Sequence, residues 1–191
     1  NAAAMASAFA LRATMLELSG RLTAAHEWIV AAQPWADKTQ DLPLRYWVYM
    51  TAGNLSQATG RLQEALRGYE VAGRAGEGNP RRQAQALLGQ APLRLALRDP
   101  AGARRDTQAA HALAVRDGSL PLQLAAKVIE ALVEEEAGQL AARDAAQALA
   151  RQLAARLEPA AAHVPVNPAA GGPAWFNTVG EVVQQLAELH L

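Results

Sequence analysis

The residues that could do chemistry are few and far apart. The four histidines, His26, His111, His163 and His190, stand alone, and none has a partner at HxxxH or HExxH spacing. A metal centre or a general base needs a second group within reach, so single histidines of this kind read as surface or packing residues. The chain has no cysteine, which removes thiolate catalysis, disulfides and cysteine zinc sites. Glu134-Glu135-Glu136 is an acidic run, but neighbouring residues on a helix point in different directions, so it reads as a solvated face. The glycine-rich piece Gly73-Arg74-Ala75-Gly76-Glu77-Gly78 follows a helical segment rather than a strand. It therefore reads as a loop between helices, closing at Asn79-Pro80 where proline can start the next helix. No phosphate-loop, dinucleotide or GxSxG pattern occurs. The expectation is a non-enzyme, with no catalytic residue, no metal and no cofactor.

The elements that would carry any site are helices. The 191 residues include 46 alanines and 26 leucines but only two isoleucines, Ile29 and Ile129. Alanine and leucine are the strongest helix formers, whereas sheets draw on β-branched residues, so the composition predicts an all-α chain with small-residue packing. Net charge is zero, which disfavours a nucleic-acid binder relying on a broad basic face. The pairs Arg81–Arg82 and Arg104–Arg105 read as solvated helix positions. No apolar run reaches the ~18 residues needed to span a bilayer, and residues 2–10 lack the basic and strongly apolar regions of a signal peptide. These features favour a cytoplasmic location. The start at Asn1 rather than methionine suggests a piece of a longer protein.

Internal repetition organises the helices. Gly20-Arg21-Leu22, Gly60-Arg61-Leu62, Arg98-Asp99-Pro100 and Gly138-Gln139-Leu140 are turn signatures spaced by 40, 38 and 40 residues. Each lies between two apolar-periodic segments of helical length, which makes a helix–turn–helix unit repeated about four times. The second unit is clearest: Tyr49, Ala52 and Gly53 before the turn, then Leu62, Ala65, Leu66, Tyr69 and Ala72 at helical spacing. Ala25, Ala65 and Ala103 recur beside the turns, and Ala32, Ala72 and Ala110 follow seven residues later. In the fourth unit, aligning on Gly138 would bury Glu130, Glu134 and Arg143 at a heavy desolvation cost. A frame shifted by one or two residues puts Ile129, Val133, Ala142, Ala146 and Leu149 inward, and is the expectation here. Pro92 falls inside the first helix of unit three and predicts a kink or an early break.

The hairpins are expected over roughly 5–35, 43–78, 80–117 and 120–157, making one repeat domain over 1–157, with a long loop at 33–42 that contains Trp35. Residues 158–173, with four prolines and two glycines, read as an extended linker rather than helix. A last helix over 174–191 carries Trp175, Val179, Val182, Leu186 and Leu189 as an apolar stripe. It serves either as a cap on the last repeat or as a docking helix, including a homodimer contact through Trp175, Val179, Val182 and Leu186.

Tyr49, Ala52–Gly53, Gly60, Ala65, Tyr69 and Ala72 follow, in order and spacing, the pattern of the tetratricopeptide repeat, which the chain resembles over residues 5–157. The period exceeds that family's usual length of about 34 residues. It is similar to the long variants in the sensor arms of large bacterial transcriptional regulators of the maltose-regulator type. The resemblance implies a right-handed α-solenoid whose first helices line a concave face that binds a protein, a peptide or a small effector, with no direct nucleic-acid or membrane contact. Carried onto this sequence, that face comprises Thr14 and Glu17, then Trp47, Met50, Asn54 and Gln57, then Gln85 and Leu88. An aromatic, a methionine and two amides suit a peptide or small ligand. Trp47 and Met50 equally suit packing against the 33–42 loop. Ala10 and Met50 stand where the family's acid-binding version places lysine, which argues against recognition of an acidic chain end.

Overall fold

A computed structural model describes residues 1–161, as eight α-helices: α1 Ala2–Leu18, α2 Leu22–Asp37, α3 Leu42–Ala58, α4 Leu62–Ala75, α5 Pro80–Ala96, α6 Pro100–Asp117, α7 Leu120–Glu136 and α8 Leu140–Ala161. The all-α class follows from the composition, and no strand occurs among the described residues. The helix expected over 174–191, with Trp175, Val179, Val182 and Leu186, lies outside the described residues, as does the linker from 162 onward.

Four helix starts, those of α1, α3, α5 and α6, are capped by side-chain oxygens. Asn1, Asp41, Asn79 and Asp99 each accept a hydrogen bond from a first-turn N–H, at Ala3, Leu44, Arg82 and Gly102. These bonds satisfy amides that have no intrahelical acceptor. Proline occupies the first or second position of α3, α5, α6 and α7, where its missing N–H costs nothing. The stops are equally regular. At the four repeated turns the second residue after the helix is left-handed: Gly20 (φ 75°), Gly60 (75°), Arg98 (64°) and Gly138 (70°). The next residue's N–H then bonds back to the helix, Arg21 to Leu16 O, Arg61 to Ser56 O, Asp99 to Arg94 O and Gln139 to Glu134 O, at 2.8–2.9 Å. This is the Schellman stop, which caps otherwise orphaned carbonyls.

Each helix packs on its neighbour in sequence, and α1, α3, α5 and α7 also meet one another in order, forming a row. The contact points are small. Ala25, Ala65, Ala103, Ala32, Ala72 and Ala110 are all fully buried. The Tyr69 ring lies flat between two glycines: a Cβ on Gly53 would stand 2.7 Å from it, and one on Gly89 2.8 Å. Only residues without a side chain permit that approach. The core is accordingly divided into several clusters along the row, the largest joining α1, α2 and α3 around Ile29, Val48 and Leu55.

Five expectations change. Residues 33–37 are helical, not loop, because Ala36 is fully buried and Trp35 packs on the first cluster; only 38–41 connect α2 to α3. Residues 73–75 likewise belong to α4, leaving 76–79 as the link. Pro92 sits inside an unbroken α5, held in helical register by the buried flanking residues Ala91 and Leu93. The fourth unit keeps the Gly138 frame rather than the shifted one. Val133 and Ala146 are buried as expected, but Ala142 is exposed, and Glu134 is buried. Its desolvation is offset because Arg104, from α6, donates two bonds to it at 2.6 and 2.7 Å. Finally, α8 runs to Ala161, so 158–161 continue a helix where the linker was expected to begin, in keeping with the alanine content of that stretch.

Candidate interaction groove on the first helices

The equal turns put the first helices in a common register. Thr14, Asn54, Pro92 and Leu132 occupy one equivalent position; Glu17, Gln57, Leu95 and Glu135 occupy the next, one turn along. Since α1, α3, α5 and α7 stand side by side, residues of one class come close together across the row.

Tyr69 organises the polar end. Its ring is buried between α3 and α5, and its hydroxyl donates to Asn54 Oδ1 at 2.7 Å, with the Gln57 amide 3.0 Å away. Burial pushes the phenol well above its ordinary pKa, and the negative charge of Glu17 pushes it further. Glu17 is itself half-buried, and loss of water raises its carboxyl above the usual range. Thr14 spends its hydroxyl on the carbonyl of Ala10 at 3.1 Å. The structure thus gathers Asn54 and Gln57 around one phenol, with Glu17 and Thr14 one turn apart on α1.

The other candidate residues are placed differently. Met50 is buried in the cluster of Tyr49, Ala65 and Tyr69. Trp47 is half-buried against the first cluster, alongside Trp35. Leu88 packs on Ala84, Ala114 and Leu122, between α5, α6 and α7. Gln85 accepts a 2.6 Å bond from the Tyr46 hydroxyl, whose ring lies under Arg82. These four hold helices together.

An apolar groove that the sequence reading did not single out lies further along the row. Pro92, Leu95, Ala96 and Arg98 of α5 and its turn face Ile129, Leu132 and Glu136 of α7, around an open volume of about 430 Å³. Leu132 is half exposed. Pro92 leaves the Leu88 carbonyl without its usual helical donor, which adds an acceptor beside the groove. The register was the available signal: Pro92 and Leu132 are the counterparts of Asn54, and Leu95 of Gln57.

Several other titratable groups are committed to structure. Arg94 gathers Asp106 (2.7 Å), Glu70 (3.1 Å) and Asp99 (3.5 Å), linking α4, α5 and α6. Burial pushes Asp106 up against that pairing. Glu70 also borders a second open depression, of about 590 Å³, with Arg74, Glu77, Gln83 and Leu113. His26 Nε2 stands 3.2 Å from Ser56 Oγ and 3.3 Å from Glu64, bridging α2 to α3 and α4. His111 is pushed below its ordinary pKa, by burial and by the nearby Lys127. Among the described residues no three His, Cys, Asp or Glu side chains converge as metal ligands, and no helix is long and apolar enough to cross a membrane. No known protein-family model matches the chain, and no curated protein matches it either.

Proposed function

We propose that the chain is a non-catalytic tetratricopeptide-like interaction module, an α-solenoid that binds a peptide segment of a partner protein along the row α1–α3–α5–α7. The observation that carries this reading is the change of character along two adjacent register lines: Glu17, Asn54 and Gln57 on α1 and α3, then Pro92, Leu95 and Leu132 on α5 and α7, with Glu135 following Leu132. A segment with a basic or amide-rich part and a neighbouring apolar anchor matches both ends. Such an anchor gains by leaving water, while the polar end sets direction. On this reading the module belongs to a larger cytoplasmic transcriptional or signalling regulator and reports occupancy of the groove to its other domains; the long repeat period, similar to that of bacterial regulator sensor arms, supports it.

The test is selection of binding peptides from a displayed random library, followed by titration against variants. Leu95→Asp and Leu132→Asp should each weaken selected peptides at least about tenfold, a loss of about 1.4 kcal/mol, with helicity unchanged. Glu17→Gln should weaken the basic members alone. Peptides that bind both aspartate variants as tightly as the parent chain would exclude the groove.

A further inference from the structure

Pro92, Leu95, Ile129 and Leu132 make the groove between α5 and α7 apolar, and the chain carries an apolar stripe of its own to set against it. Trp175, Val179, Val182, Leu186 and Leu189 recur at spacings of four and three, which is one face of a helix. Glu181 and Glu188 fall on the opposite face of the same helical wheel. Gln184 and Gln185 stand just before Leu186. That is the pairing of amides with an apolar anchor that the groove asks of a ligand.

We propose, resting on the groove reading above, that segment 174–191 docks in this groove from within the same chain, so that a partner peptide must displace it. The outer face of the last repeat is a poorer seat. Where α4 presents Tyr69 to Gly89 and Gly73 to Ala86, the equivalent positions of α8 are Gln147 and Arg151. Leu140, its first residue, is the one large apolar side chain exposed on α8 among the described residues. An apolar stripe laid on that face would bury an amide and a guanidinium without partners. With these residues α8 already gives the repeat array a polar end. The groove is also within reach. α8 starts four residues after Glu136, which borders the groove. Its 22 residues then carry the chain about 33 Å away. Residues 162–173 can span up to about 40 Å, enough to return along α8 and cross to α7. A tether of this length holds the segment at an effective concentration of about millimolar, so modest docking fills the groove.

The test titrates the full chain with a fluorescently labelled peptide of residues 174–191. Val182→Asp combined with Leu186→Asp empties the groove of its own segment, so this variant should bind the probe at least about tenfold more tightly than the parent chain does. Adding Leu132→Asp should remove that gain, with helicity unchanged, and all three chains should sediment as monomers. A probe that does not bind, that binds parent and variant equally, or that is indifferent to Leu132→Asp overturns the proposal. A dimer lost with the stripe also overturns it, by assigning the segment to a second copy. Library-selected peptides separate this inference from the groove reading. If they bind through Leu132 but equally to parent and stripe variant, the groove stands and self-occupancy fails. If the probe behaves as expected and no selected peptide competes with it, self-occupancy stands and the partner reading fails.

Discussion

Replacing Arg98 with glycine should make the protein more stable, although it deletes a whole charged side chain. Arg98 is the one non-glycine residue among the described residues with positive φ, at 64°. It fills the position held by Gly20, Gly60 and Gly138 in the other three turns, with the same back-bonding from the next N–H. An L-residue in this region costs about 1–2 kcal/mol through the clash of Cβ with the following carbonyl. Glycine removes that strain but adds about 0.4–1 kcal/mol of unfolded-state entropy. The balance is a gain of about 0.5–1 kcal/mol, or about 1–4 °C in melting temperature for a domain of this size. The mirror substitution, Gly60→Ala, should lose a similar amount. A Cβ there meets nothing within 4 Å, so its cost is purely conformational. Arg98→Ala supplies the control, since it removes the side chain but keeps the strain, and should be close to neutral. Urea denaturation followed by circular dichroism, with unchanged slope, measures all three. If Arg98→Gly destabilises, or Gly60→Ala changes nothing, backbone strain is not what distinguishes these turns.

Gly89→Ala should cost about 1–3 kcal/mol, because its Cβ would press on a Tyr69 ring already braced by Gly53 on the other side. In a Tyr69→Ala background the same change should become neutral or favourable, as alanine's helix propensity asserts itself; thermal melts of the double-mutant cycle decide it, and an unaltered cost would locate the clash elsewhere. Hydrogen bonds from Arg104 hold the Glu134 carboxyl below its ordinary range. A lowered folded pKa stabilises above the unfolded value and loses that contribution as pH falls through the folded one. The melting-temperature gap between the parent chain and Glu134→Gln should therefore be wide at neutral pH and narrow below the carboxylate range; a gap independent of pH would mean the pair is not charged as drawn.

Much of the architecture is legible in the sequence. Helix content followed from alanine and leucine, and the hairpin turns followed from three glycines and Arg98-Asp99-Pro100 at near-constant spacing, because left-handed stops and side-chain caps are local chemistry. The buried alanines beside the turns were legible for the same reason. The failures involve partners distant in sequence. Glu134 looked too costly to bury until Arg104, 30 residues away, was seen to bond to it. Trp35 looked like part of a loop because its helical state depends on packing against the first cluster.

The candidate site divides along the same line. The resemblance to the tetratricopeptide repeat singled out Thr14, Glu17, Asn54 and Gln57 on first helices. Only the tertiary structure showed that Tyr69, from a second helix, binds the two amides, and that Met50, Trp47 and Leu88 are spent on packing. It alone raised Pro92, Leu95 and Leu132 from register positions to walls of a groove. Local rules determine which backbone forms and where it stops, since capping and propensity act within a few residues. Which face of a helix is left for function depends on what the other helices cover. That is settled by close packing between segments tens of residues apart.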